Sequence, residues 1–175
     1  NTAVIATGWL GGMAADLDVF LSSSEDPILF LEYHRQFTHS LVFIPIGGFF
    51  VAVLLWLFRR RRADLKALYR DATIGYATHG LLDACTSYGT QLYWPFTNFR
   101  VAWNSISIID PIFTLALLAG IITALIWKNE WLVRLGLAAA LSYLAFGFAM
   151  NQRAERQTRQ LAEAQKQFDG LDMKV

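Results

Sequence analysis

The sequence predicts an all-α membrane protein, a polytopic helix bundle with about five transmembrane helices, each needing roughly 20 apolar residues. Hydrophobic residues occupy 55% of the 175 positions and charged residues only 17%, whereas a soluble domain carries roughly 25% charged residues. Long apolar stretches recur along the chain, separated by short polar segments. The few ionisable residues within these stretches are costly in a membrane and therefore normally mark a functional site.

The charge distribution bears on the partners that we expect, and the cysteine content bears on disulfide bonds. The formal net charge is +1, and the basic residues are clustered rather than spread along a binding stripe, so we expect no nucleic-acid partner. Membrane lipids are the expected partners, with other membrane-protein subunits as a second class. The single cysteine, Cys85, excludes an internal disulfide.

The first apolar stretch, residues 4–15, is shorter than the roughly 20 residues that span a bilayer. The chain opens on Asn1, so we interpret this stretch as the end of a first membrane helix that is truncated here. A cleaved signal peptide is the alternative, but neither a basic start nor a small-residue cleavage pattern is present.

Four further apolar segments follow. Residues 37–58 predict a spanning helix, whereas residues 67–86 contain several ionisable positions and need partners that bury their polar face. Residues 106–127 and 131–150 are strongly apolar. The short polar sequence Lys-Asn-Glu at 128–130 separates these two segments and predicts an antiparallel hairpin.

Residues 1–150 thus form the predicted membrane-embedded helical domain. Residues 151–175 are polar and favour a helix, so we expect a helical tail that leads to a missing C-terminal region. Basic residues at the start of this tail would lie outside the cytoplasm, which the positive-inside rule tolerates when a long exported segment follows. The alternative is that segment 131–150 does not span the membrane fully.

The orientation follows from one basic cluster. The four arginines at 59–62, with Lys66 and Arg70 just beyond, are the densest run of positive charge beside an apolar segment. The positive-inside rule places this run in the cytoplasm. Segment 37–58 therefore begins at the extracytoplasmic face, and the segments before and after it both end there.

Histidines and aspartates collect at that same face. All three histidines lie within a few residues of a carboxylate or of another histidine. Imidazole and carboxylate groups are the usual ligands of zinc and similar divalent ions. The topology therefore predicts that the potential metal ligands converge in one extracytoplasmic pocket: Asp16, Asp18, His34, His39, His79 and Asp83.

Each of these spacings also has a structural explanation. His79 and Asp83, four residues apart, share one helix face and can hold an ion together, or the aspartate can orient the imidazole; a buried hydrogen bond is the alternative. Asp16 and Asp18 can both face one ion if they lie in a turn, and otherwise form a polar pair that ends a helix. Asp110 precedes a proline at a helix entrance, where an N-cap role would explain it.

The two remaining histidines are five residues apart. They converge only if His34 lies in a loop and His39 in the first helical turn, with Thr38 near the cap position. Two unrelated histidines at the membrane interface are the alternative.

Three sequence blocks resemble a known family. GGMAADLDVF, EYHRQFTHSL and GYATHGLLDACTSYGTQLYWPF resemble the signature blocks of the YdjM-like bacterial inner-membrane proteins, which are described as predicted membrane-bound metal-dependent hydrolases. The resemblance implies a bacterial inner-membrane location with the site facing the periplasm. It also implies a divalent metal, which would be zinc by similarity to the helical phospholipase C and P1-type nucleases. The resemblance assigns the binding of this metal to the six residues of the pocket. Many relatives have proline and histidine around the first aspartate pair, where this chain has Ala15 and Val19.

The expected chemistry is hydrolysis of an ester or phosphoester, on a substrate that is lipid-linked or periplasmic. A metal-bound water would be the nucleophile, with Asp16 or Asp110 as general base. The aromatic-rich loop at 87–105 suits the interfacial belt and could also cover the site, with Arg35 or Arg100 contacting a phosphate. The alternative is a non-catalytic scaffold or accessory subunit with a structural metal site. A transporter fits less well, because the polar residues collect at one face.

Overall fold

A computed structural model describes residues 2–20, 33–59 and 62–172. Five α-helices contain most of these residues: α1 (Thr2–Ala14), α2 (Phe43–Phe58), α3 (Leu65–Ala84), α4 (Pro111–Trp127) and α5 (Glu130–Asp172). Two short 3₁₀ helices, Ala15–Phe20 and Phe37–His39, follow α1 and precede α2. The described residues contain isolated β-bridges, among them one between Thr90 and Val101, and no strand. The all-α prediction is confirmed.

Within residues 2–20, 33–59 and 62–172, two stretches are long and apolar enough to cross a membrane, Ala3–Phe20 and Glu130–Lys166. Helices Phe43–Phe58 and Pro111–Trp127 are apolar but shorter. The helix predicted over residues 37–58 starts later than expected, because Ser40 adopts an extended conformation (ψ 151°) and interrupts it. The hydroxyl of Ser40 accepts a hydrogen bond from the backbone N–H of Phe43, which is the geometry of an N-cap. Thr38 was predicted near this cap position and does not hold it.

The chain divides into two compact units, Asn1–Trp103 and Asn104–Val175. In the first unit, α1 and α3 run parallel, since Gly8 lies beside Asp71 and Asp16 lies beside His79, a constant offset of 63 positions. A Cβ on Gly75 would overlap the backbone of Gly8, so glycine permits the two helices to approach closely.

Helix α2 runs antiparallel to α3. Gly80 of α3 lies against His39, just before α2 begins, and Thr73 lies against Gly48 further along α2. The C-terminal ends of α1 and α3 therefore meet the N-terminal end of α2. This arrangement brings the DLD, FTH and HGLLD sequences to one end of the first unit.

The second unit is the hairpin of α4 and α5. Asp110 caps α4 by accepting a hydrogen bond from the N–H of Phe113, and Lys128 ends the helix in the left-handed conformation (φ 51°). The side chain of Asn129 then accepts a hydrogen bond from the N–H of Trp131 at the start of α5. The predicted hairpin is confirmed, although α4 begins at Pro111 rather than at residue 106. Helix α5 continues without a break from the apolar segment into the polar tail.

The basic cluster follows α2 directly. Arg59 ends α2, and its N–H donates to the carbonyl oxygen of Leu55. Arg60 and Arg61 lie outside the described residues. Asp64 caps α3 through the N–H of Lys66.

Candidate metal centre

Four of the six predicted ligands form a compact group in the first unit. One nitrogen or oxygen atom from each lies within 4.8 Å of the corresponding atom of every other member, a spacing that could hold a metal ion. The members are Asp16, His39, His79 and Asp83. Because they come from three separate elements, the parallel and antiparallel packing of α1, α2 and α3 assembles the group.

The ligand atoms point toward one another across short distances. His79 Nε2 lies 3.1 Å from Asp16 Oδ1 and 3.4 Å from Asp83 Oδ2. His39 Nε2 lies 3.1 Å from Asp83 Oδ2 and 3.6 Å from Asp16 Oδ1. The rings of His39 and His79 have centroids 5.2 Å apart. Two imidazoles and two carboxylates in this arrangement form the mixed nitrogen and oxygen donor set that zinc accepts.

Two buried atoms test whether a metal fits. His39 Nε2 and Asp83 Oδ2 lie 3.1 Å apart as an ion pair, and Arg35 Nε is also 3.1 Å from Asp83 Oδ2, yet neither atom of the pair makes a well-oriented hydrogen bond within the part of the chain that the structure describes. A buried polar atom without a partner costs free energy. A cation between these atoms would satisfy both, so the residues present fit a divalent ion.

Thr38 and Asp18 hold His39 from its other side. The hydroxyl of Thr38 donates to Asp18 Oδ2 over 2.7 Å and lies 2.9 Å from His39 Nδ1. With its proton donated to Asp18, this hydroxyl can only accept, so Nδ1 carries the hydrogen and Nε2 is the ligating nitrogen. Metal-binding histidines typically have such a partner on the second ring nitrogen.

The charge on His39 depends on the carboxylates around it. The imidazole is fully buried and lies outside the apolar helices. Burial lowers its pKa, but the contacts with Asp16, Asp18 and Asp83 outweigh that effect and raise the pKa of His39 to about 10. Without a metal, His39 is therefore a cation at neutral pH.

The other two predicted ligands form a pair beside the group. His34 Nδ1 lies 3.0 Å from Asp18 Oδ1, and the ring of His34 lies 6.2 Å from that of His39. Asp18 is almost completely buried. It accepts from Thr38 and from the N–H of Arg35, so in this geometry it supports His39 and His34 instead of facing the four-residue group.

Arg35 supports Asp83. Its Nε lies 3.1 Å from Asp83 Oδ2, and its Nη1 donates to the hydroxyl of Thr86. The backbone of Arg35 is left-handed (φ 59°), which is uncommon for a residue with a side chain. The hydrogen bond from the N–H of Arg35 to Asp18 stabilises this turn.

The loop after α3 folds over the turn that holds His34 and Arg35. The guanidinium groups of Arg35 and Arg100 both lie over the ring of Tyr88, at 5.2 Å and 4.8 Å from its centroid. Arg100 Nη2 donates to the carbonyl oxygen of His34. The two arginines predicted to contact substrate are therefore neighbours, on the side of the group where Asp83 lies.

Asp110 lies in the second unit. Its Oδ1 caps α4, and its Oδ2 accepts a hydrogen bond from the hydroxyl of Tyr143. The N-cap explanation for Asp110 is confirmed. Its role as a general base stays a prediction.

Sequence reasoning missed the contributions of Thr38, Thr86 and Tyr88. Thr38 sits inside the HRQFTHS block between two predicted ligands, but its position suggested a helix cap. Its true partner, Asp18, lies 20 positions earlier in the chain. Thr86 and Tyr88 follow the HGLLD block directly and become interpretable only once Arg35 is placed beside them.

The whole of this site lies within a region that matches one family model. The model of the YdjM inner membrane protein family matches residues 1–154. The chain belongs to the YdjM inner membrane protein family. It is thus a membrane protein of a family located in the inner membrane, as its composition indicates.

A relative from Bacillus subtilis (strain 168), the uncharacterized protein YfhP, is 29% identical over 119 residues. The match covers 68% of this chain and 36% of the relative, so the chain spans about a third of the length of the protein it matches. No solved structure matches the chain.

Proposed function

We propose that the protein is a metal-dependent hydrolase of the inner membrane that cleaves an ester or phosphoester at the periplasmic face. The observation that supports this most is the convergence of two imidazoles and two carboxylates, in which His39 Nε2 and Asp83 Oδ2 are buried and make no well-oriented hydrogen bond among the described residues. A zinc ion bound there would lower the pKa of its water to about 7 and polarise the scissile bond.

The exposure of the four residues defines an open side for substrate. The side chain of His39 is fully buried, whereas 24% of His79 and 41% of Asp16 are exposed. Substrate would therefore approach over Asp16 and His79. Asp16 is the most exposed carboxylate of the group, so with His39, His79 and Asp83 as the three zinc ligands it would be the general base.

Arg35 and Arg100 would recognise the negative charge of a phosphoester. Arg35 already lies beside Asp83, and both guanidinium groups stack over Tyr88. A guanidinium binds phosphate oxygens through two parallel hydrogen bonds.

We further propose a multi-pass arrangement with five membrane helices over residues 1–150 and a polar tail over 151–175. The parallel directions of α1 and α3, with α2 antiparallel, support alternating crossings. Arg59 follows the end of α2 opposite to the metal-binding group, as the positive-inside rule requires for a periplasmic site.

A structural metal site is the second candidate function. Four protein side chains from three elements could complete a tetrahedral site and tie the ends of α1, α2 and α3 together. The protein would then be a scaffold or an accessory subunit of a membrane complex. Bound metal without turnover is the outcome that favours this function.

The test uses the full chain in detergent, loaded with zinc. We expect about one zinc ion per chain by elemental analysis, as for a four-ligand site, and cleavage of bis(p-nitrophenyl) phosphate or p-nitrophenyl acetate. Asp83→Asn keeps the side-chain shape but removes its charge, and should lower both zinc content and turnover. Glu163→Gln makes the same change on the exposed face of α5 and is the matched control. Failure to retain zinc in the unaltered chain would refute both functions.

A further inference from the structure

An apolar groove lies beside the candidate metal centre in the first unit. Its volume is about 370 Å³, within the range of small-molecule sites. One wall is formed by Phe50, Val51 and Leu54 of α2, and Tyr76 of α3 also lines it. The groove follows α2 from Phe43 to Leu54, a rise of about 16 Å.

The charged lining of the groove lies at one end, at Asp18. Its polar lining comes from Tyr76, which carries a hydroxyl, and from Asp18 and Thr38, the two residues that hold His39 Nδ1. Leu17, which also lines the groove, lies between Asp18 and Asp16, a member of the metal-binding group. Because Asp18 and Thr38 contact His39 Nδ1 and the metal-binding group faces His39 Nε2, one imidazole ring separates the polar end of the groove from that group.

The groove is open along its side. Its rim residues Leu17, Phe50 and Leu54 are 59%, 64% and 56% exposed. Phe50 and Leu54 belong to α2, a helix that contains no charged residue. In a membrane such a rim faces hydrocarbon, so an occupant can enter laterally from the bilayer.

The shape and polarity of the groove select one kind of occupant. A helix from a second copy, with a diameter of about 10 Å, needs far more room than a groove of this volume. An extended peptide would bring backbone N–H and C=O groups into an apolar lining that could not hydrogen-bond them. A hydrocarbon chain has no such groups, and a polar head attached to it would lie at the Asp18 end.

We propose that this groove binds one hydrocarbon chain of a membrane phospholipid and directs its phosphoester to the metal-binding group. The inference rests on the proposed function and specifies its substrate class. In the reaction, the oxygen of a water molecule bonds to phosphorus and the phosphorus–oxygen bond to the leaving alcohol breaks. One proton of the water passes to the base, and the leaving oxygen takes up a proton.

Binding is tested without turnover, on the full chain in detergent. Phosphatidylglycerol with a nitroxide on its stearoyl chain is titrated in, and the immobilised lipid is measured by electron paramagnetic resonance. We expect one saturable lipid per chain, bound at least tenfold more weakly in Val51→Trp and in Leu54→Trp, which fill the groove. Leu57→Trp adds the same ring on α2 at a residue that is 48% exposed and outside the groove, and should bind within twofold of the unaltered chain.

Turnover is tested on the same proteins with zinc. Val51→Trp should lower the ratio of phosphatidylglycerol cleavage to bis(p-nitrophenyl) phosphate cleavage at least tenfold, whereas Leu57→Trp should leave it within twofold. Unchanged lipid binding in both groove variants, equal loss in Leu57→Trp, or a dimer that dissociates in Val51→Trp would each overturn the proposal. Lipid binding that responds as expected, with neither substrate cleaved, would refute the hydrolase and the substrate role but support the lipid site.

Discussion

Thr38 offers a direct test of how the metal centre is built. Its hydroxyl links Asp18 Oδ2, at 2.7 Å, to His39 Nδ1, at 2.9 Å. Thr38→Val removes this link with little change in volume. Replacing such supporting groups typically lowers metal affinity by about 10- to 100-fold. His39 Nδ1 would still lie 3.4 Å from Asp18 Oδ2, and Asp18 would keep the N–H of Arg35, so we expect a loss near tenfold, about 1.4 kcal/mol.

The assay is competition for zinc with a chromophoric chelator, using the purified full chain. Thr38→Ser keeps the hydroxyl and is the matched control, expected within about twofold of the unaltered protein because the hydrogen bonds remain available. Circular dichroism and gel filtration check that each variant is folded. A Thr38→Val protein that holds zinc as tightly as Thr38→Ser would show that the hydroxyl does not position His39.

Three further predictions concern the metal, the helix contact and the cap of α4. Because nearby carboxylates raise the pKa of His39 to about 10, zinc must displace at least one proton at neutral pH, and apparent affinity should rise at least about tenfold per pH unit from pH 6 to 8. Affinity that does not depend on pH in calorimetry would contradict this. Gly75→Ala places a Cβ against the backbone of Gly8 and should lower the free energy of unfolding by about 1–3 kcal/mol, as well as zinc affinity. Gly12→Ala, whose Cβ would lie 3.4 Å from its nearest neighbour, should be much milder, and equal thermal shifts would refute the close-packing argument. Asp110→Ala should cost about 1 kcal/mol through loss of the cap and leave zinc content unchanged; lost zinc would mean that Asp110 does more than cap α4.

Much of the candidate site could be predicted because the positions of charged residues and the lengths of the apolar segments indicate the direction of each helix. One arginine cluster and the segment lengths predict that α1 and α3 point the same way. The structure agrees, with Asp16 beside His79 and both beside His39. Charge and apolar length are local properties of the chain, so they are readable before any tertiary contact is known.

The supporting contacts could not be predicted in the same way. The hydrogen bond between Thr38 and Asp18 joins residues 20 positions apart, and the one between Arg35 and Thr86 joins residues 51 positions apart. The sequence around one partner of such a pair does not indicate which residue the other partner is. The late start of α2 was missed for a related reason. Residues 37–42 include no acidic residue, lysine or arginine, so nothing in their charge marks a boundary, while the hydroxyl of Ser40 provides a competing local hydrogen bond that ends one turn and begins the helix.

The length of helix α5 determines how far its C-terminal end can lie from a membrane. Its 43 residues extend about 64 Å at 1.5 Å per residue, roughly twice the 30 Å of a bilayer's hydrocarbon core. If its apolar N-terminal part crosses that core, the polar remainder forms a rigid rod of about 30 Å in water. A partner that binds the C-terminal end of this rod would be held at a fixed distance from the lipid surface.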